Sequence, residues 1–199
     1  MAAVREISPA VGISADEYVA LLPPAMRQLV NEIRRGKQAG ERLRPSGSLI
    51  DYSALFTRGH RNNLLDAVAS LVDENYAGRA EMCLQFADLL NRALMHLHFP
   101  SRPVVGTAMY YDFAGNEIFR WTHAWVRIAD EVIDGNVDSL AENPIVPNSV
   151  CIKPYWGPIA RTPSDRRLRE NHGESLPSDV DVEQIWWPEL RSLLNDNFM

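Results

Sequence analysis

The chain has 199 residues, 46% hydrophobic and 23% charged, with a formal net charge of -6 and a sequence pI of about 5.4. Such a composition supplies a sizeable core and makes a single domain over 1–199 the expectation, while the acidic balance and the lack of a long Lys/Arg run argue against nucleic acid as a partner. No apolar run reaches the roughly 18 residues of a membrane span, and the opening MAAVREISPAVG lacks the apolar centre of a signal peptide, so no membrane partner and a cytoplasmic location are expected.

Residues 1–75 read as helical. Ser14 followed by Glu17 fits a capping box, with a short helix running to about Leu22. Pro23-Pro24 breaks it, and Pro24 suits the first turn of the next helix. Met26, Leu29, Val30 and Ile33 keep helical spacing and form one apolar face. That face is what any packed helix shows, so a helical interaction protein is the weakest of three readings. Arg34-Arg35-Gly36-Lys37 suits a helix C-terminus. Residues 38–48 carry Gly40, Pro45 and Gly47 and read as a loop. A further helix is expected from about Asn62 to Glu74, with Leu64, Leu65, Val68, Leu71 and Val72 inward.

Residues 76–140 differ in pattern. Met82–Leu97 is apolar nearly all round, as a central helix packed on a sheet would be. Pro103–Asp112 has the content of a strand, Gly115-Asn116 that of a turn, and Ile118–Ile128 that of a second strand. Ala129-Asp130 is a tight turn, and Glu131–Asp134 a third strand. Helices followed by an antiparallel meander predict the α+β class.

Residues 141–199 hold Pro144, Pro147, Pro154, Pro158, Pro163 and Pro177, which leave little room for regular elements. This reads as a Pro-rich tail packing on the core. Tyr155-Trp156-Gly157-Pro158 reads as an aromatic loop. Arg161, Arg166, Arg167 and Arg169, interleaved with Asp165 and Glu170, read as a solvated basic loop. Asp179–Leu194 is a helix interrupted at Pro188, with Trp186-Trp187 holding the tail to the body.

Three residues bear on chemistry. Cys83 opens the apolar helix, where unpaired backbone N–H groups and the positive dipole end favour a thiolate and can hold an oxyanion. Taken alone, it reads better as a small buried hydrophobe. His123 opens the strand segment THAWVRI, and its face could meet a helix packed over it. A structural histidine is the competing reading. Asp134 follows eleven residues later; the tight turn returns it toward His123, where a carboxylate can fix an imidazole tautomer. Turn chemistry at Asp134-Gly135 is the bland alternative, and Asp138 is the fallback carboxylate. The topology draws all three toward one place.

Other features point to ordinary roles. Two cysteines, Cys83 and Cys151, build neither a zinc site nor a disulfide framework, and a bridge between them would occupy the reactive thiol. His96 and His98 have no third ligand nearby and suit a helix end, so no metal and no cofactor are expected. Asn75 and Gln85 lie near the thiol but are better read as helix residues. Tyr110, Tyr111, Trp121 and Trp125 could line a cleft, yet aromatics in a meander usually form core.

The cysteine at the start of a buried helix, the strand His-Ala-Trp-Val and the strand ending Asp-Gly resemble the transglutaminase-like branch of the papain-like cysteine hydrolases. The resemblance spans Gly78 to Asp138, and the short His-to-Asp spacing is similar to its compact bacterial members, among them leader-peptide-cleaving proteases and arylamine N-acetyltransferases. It implies Cys83 as nucleophile, His123 as general base and acid, and Asp134 as orienter. It implies a cysteine-dependent hydrolase or acyltransferase acting on an amide or thioester through an acyl-enzyme. A peptide or protein is the expected substrate, with a small acyl donor as the other option. Glu81-Met82 departs from the Trp or small residue that many members place before the cysteine, and Glu81 would oppose a thiolate unless turned to solvent. A catalytically inactive peptide- or protein-binding module is therefore the alternative.

Overall fold

The computed structural model describes residues 49–76, 79, 82–142, 146, 152–171 and 173–198, with positions 20, 21, 23, 24, 27, 28 and 31. Met26, Leu29, Val30, Ile33, Gly78, Glu81 and Cys151, and the side chain of Asn75, lie outside the described residues. The described positions of the expected N-terminal helices are helical except Pro23, whose carbonyl accepts the Arg27 N–H at 2.9 Å.

Six strands form one sheet: β1 (Ile50–Asp51), β2 (Ser101–Tyr111), β3 (Glu117–Ile128), β4 (Glu131–Asp134), β5 (Tyr155–Pro158) and β6 (Arg166–Glu170). Their order is β1-β5-β4-β3-β2-β6. β1 runs parallel to β5 and every other pair is antiparallel. The class is α+β as expected, but the sheet is mixed rather than antiparallel.

Helices α1 (Arg58–Tyr76) and α2 (Cys83–His96) follow β1, and α3 (Trp187–Phe198) closes the chain. Cys83, Phe86, Ala87, Leu89, Leu90, Ala93 and Leu94 of α2 share one core with Leu64, Leu65, Val68, Ala69, Leu71 and Val72 of α1. Ala124, Val126, Ile128 and Ile133 bring one sheet face into that core, and Trp186, Leu190 and Leu194 close it from the C-terminal end. Strand alternation therefore assigns odd-numbered β3 residues, including Trp125, to the other face, where Val104, Val132 and Tyr155 pack with it.

The sheet is rolled. Arg166 on β6 reaches Asp134 on β4 although β2 and β3 lie between those strands. Strong twist of a sheet allows side chains on its concave face to meet in this way. No helix among the described residues is long and apolar enough to cross a membrane.

Several elements differ from expectation. Tyr155–Pro158 is the inner strand β5, and Trp156 is fully buried. Arg166–Glu170 is the edge strand β6, not a solvated loop. β2 begins before Pro103, because β6 pairs only from Gly106 onward and the missing proline donor faces no neighbour there. The C-terminal helix is not broken at Pro188. A π-helical turn over Val182–Trp186 precedes it, and a wider turn accommodates the absent N–H.

Candidate functional site

Cys83 is the first residue of α2. Met82 precedes it with no side-chain cap, and the first bond into the helix runs from the Phe86 N–H to the Met82 carbonyl at 3.0 Å. The N–H groups of Cys83, Leu84 and Gln85 thus have no partner within the helix. The chain enters this turn through Arg79. Its guanidinium grips both oxygens of Asp138, at 2.8 and 3.0 Å, and its carbonyl accepts the Asn136 side-chain amide at 3.1 Å. Asp138 is committed to Arg79, so the fallback carboxylate is not the one that serves His123.

The hairpin register brings Asp134 to His123. Ile128 pairs with Glu131 and Val126 with Ile133 across the turn, where Ala129 takes a φ of 49°. Extending the register sets Asp134 opposite Trp125 and diagonal to His123. The Asp134 Oδ1 lies 2.7 Å from His123 Nε2. This leaves Nδ1 as the ring nitrogen that can face a thiol, and Cys83 is near enough to help raise the imidazole.

His123 and Asp134 occupy the face opposite α2, contrary to the expectation that the helix packs over the histidine. The strand β4 stops at Asp134, and the Cys83 thiol is near enough to the ring to help raise the imidazole against burial, after Asp134. Gly135 follows at once; a Cβ there would lie 2.7 Å from the Phe86 ring and 2.8 Å from Leu65. The bare backbone lets the first turn of α2 close against the end of the sheet.

Arg166 completes the polar cluster. Its Nη1 donates to Asp134 Oδ2 at 2.8 Å, and its Nη2 to the Lys153 carbonyl at 2.6 Å. Both side chains of the pair are fully buried. Tyr110, opposite Arg166 in the β2–β6 register, is also buried, and its hydroxyl has no hydrogen-bond partner among the described residues. Burial, then the Asp134 charge, push that phenol well above its ordinary value.

Burial works against a charged His123. The charge and hydrogen bond of Asp134, followed by Cys83, overcome it and raise the imidazole to about 10. Burial likewise opposes the Asp134 carboxylate, while His123 and Arg166 hold it below its ordinary range. The two shifts set a pH window for stability. His123 contributes fully below its unfolded value of 6.5, and that contribution is lost as pH rises through about 10. Asp134 contributes fully above 3.8 and is lost as pH falls through its lowered folded value. The stability difference between the protein and His123→Gln should therefore be largest near pH 5 and shrink steadily toward pH 10. Urea unfolding midpoints check this, and a difference that stays flat over the range would mean that the folded imidazole keeps its ordinary value of 6.5.

Other candidates have structural roles. Gln85 donates its Nε2 to Asp179 Oδ2 at 3.1 Å, tying α2 to the C-terminal segment. His96 Nε2 lies 2.9 Å from Asn195 Oδ1, and its ring meets Trp187 edge-on, so it bridges α2 and α3 rather than capping a helix end. No group of three metal-ligating side chains occurs among the described residues. Trp125 is core, whereas Trp121 is half-buried and stacks on Phe119.

No protein-family model matches the chain, and no curated protein matches it. A solved structure, the genomics target APC5867, superposes with a TM-score of 0.54 at 14% identity, covering 75% of this chain and 83% of that one. A likeness at this identity is one of fold alone: the chain shares an α+β arrangement with that protein.

Proposed function

We propose that the chain is a cysteine-dependent hydrolase or acyltransferase with a papain-like, transglutaminase-like core. The observation that supports this reading is the buried His123 imidazole, bonded to Asp134 at 2.7 Å with Arg166 anchored behind, and with Cys83 at a helix N-terminus acting on the same ring. Cys83 attacks the carbonyl carbon of an amide or thioester, its proton carried by His123 Nδ1. The Cys83 N–H holds the developing oxyanion. His123 then protonates the departing amine or thiol as the tetrahedral intermediate collapses, leaving an acyl group on sulfur. Water or an amine, deprotonated by the same imidazole, releases it. Asp134 stays ionised throughout, fixing the tautomer and stabilising the imidazolium. A cytoplasmic setting, expected from the sequence, keeps such a thiol reduced.

Cys83 is 8% exposed and His123 3% exposed, which favours the second reading, a binding module with the same three residues idle. An acyl donor separates the two. A p-nitrophenyl acetate pulse should release p-nitrophenolate in a burst and leave acetyl on Cys83 in the intact mass. Cys83→Ala should remove both signals. A folded protein that takes up no acetyl at Cys83 supports the idle module instead.

A further inference from the structure

Beyond the N-terminal tip of α2, the sheet face that carries the helix is open. A groove of about 540 Å³ lies there, lined by Thr107, Met109, Arg120, Arg169, Glu170 and Asn171. Its distance from Cys83 follows from α2. Asn91 accepts a bond from Ser101 at the start of β2, at 2.8 Å. Cys83 precedes Asn91 by eight residues, so it sits about 12 Å further along, or roughly four strand residues, near Val105 and Gly106. Gly106 is the register partner of His123, and Thr107, the next residue, opens the groove.

The groove is basic in a chain of net charge -6. Glu170 is neutralised by Arg102, which binds it at 2.7 and 2.9 Å. Among the described residues, Glu117 pairs with Arg120 alone. Arg169 makes no ion pair with any described residue, and Arg167 beside it stacks on Tyr111, 5.1 Å from the ring centroid, with no carboxylate partner. Both side chains are exposed. Thr107 and Asn171 add hydrogen-bonding groups above a Met109 floor. A guanidinium is made to bind carboxylate oxygens, and Arg169 in the lining and Arg167 next along the same strand face lack such a partner.

We propose that this groove binds an acidic peptide segment of the substrate, whose carboxylates pair with Arg167 and Arg169 as the chain runs toward Cys83. The assignment rests on the hydrolase reading for the word substrate, but the binding itself needs no turnover. Fluorescein-labelled peptides of equal length, built from Glu-Gly, Gln-Gly or Lys-Gly repeats, are titrated with the full-length protein and followed by anisotropy. The Glu-Gly peptide should bind, more weakly as salt is raised. Arg167→Glu with Arg169→Glu should weaken it by roughly tenfold or more, and the paired Gln variant should weaken it less. Arg58→Glu with Arg191→Glu, the same charge change at exposed sites on α1 and α3, should leave it unchanged. A Gln-Gly peptide that binds as tightly, or a distant reversal that weakens binding as much, overturns the proposal. Acidic-peptide binding with an inert Cys83 would sink the hydrolase reading alone. A reactive Cys83 with no preference for acidic peptide would sink the groove alone.

Discussion

Iodoacetamide should alkylate Cys83 far faster than Cys151, and His123→Ala should abolish that difference. An imidazole raised to about 10 stays protonated across the neutral range, and a cation beside sulfur is what a thiolate requires. The rate is followed by mass spectrometry of the two cysteine peptides. On His123→Ala, the loss should be on the order of 100-fold, what a positioned base commonly contributes. Asp134→Asn should also lower the rate, because an amide neither supports the imidazolium nor keeps its charge. Equal labelling of both cysteines, unchanged by His123→Ala, would remove the nucleophile from the proposal.

The parts of this site that were legible share one property: their positions follow from counting. A two-residue turn at Ala129-Asp130 sets the β3–β4 register, and the register sets which side chains are diagonal neighbours. A separation of eleven positions from His123 to Asp134 thus becomes a 2.7 Å contact with no tertiary knowledge. The helix that opens at Cys83 was equally legible, since its apolar density admits little but burial. The face on which they meet was not. Alternation alone says that His123 and Trp125 share a side, but not which side the helix takes. Only packing decides it: Ala124 and Val126 are small and branched and fit beneath α2, while the indole of Trp125 covers Gly106 on the concave face.

Arg166 was hidden for a different reason. The segment RRLRE offers one apolar residue in five, so no hydrophobic period marks it as a strand. Charged residues suit an edge strand, which must avoid pairing with other chains, and the same charges read as a solvated loop. Its burial comes from the roll of the sheet, a property of all six strands together. β5 was missed similarly: Gly157 and Pro158 signal a turn, yet Trp156 lies in the main core and donates to Glu131 at 3.1 Å. The available signal was weak in both cases. It was the alternation of buried and outward positions in Arg166–Glu170, visible only once a strand was assumed.

Arg166→Met should be the most destabilising single change in the polar cluster. The methionine fills similar space but leaves Asp134 Oδ2 and the Lys153 carbonyl without their donors at 2.8 and 2.6 Å. Removing one partner of a buried ion pair costs about 3–5 kcal/mol, because the remaining charge stays in low dielectric. For a chain of this size that is a fall in melting temperature of roughly 10 °C. Arg167→Met, one residue along the same strand but exposed, should shift it little, by no more than about 0.5 kcal/mol. The loss should also have a chemical signature. Without Arg166, Asp134 takes up a proton at higher pH, so acid unfolding should begin earlier than in the parent protein. Arg166→Met with Asp134→Asn should recover part of the stability, since the uncompensated charge is gone, yet should not recover the alkylation rate of Cys83. Calorimetry on the three variants separates these outcomes. A mild effect of Arg166→Met with unchanged acid unfolding would show that Asp134 draws its stabilisation from His123 alone, and that the anchor behind the carboxylate is dispensable.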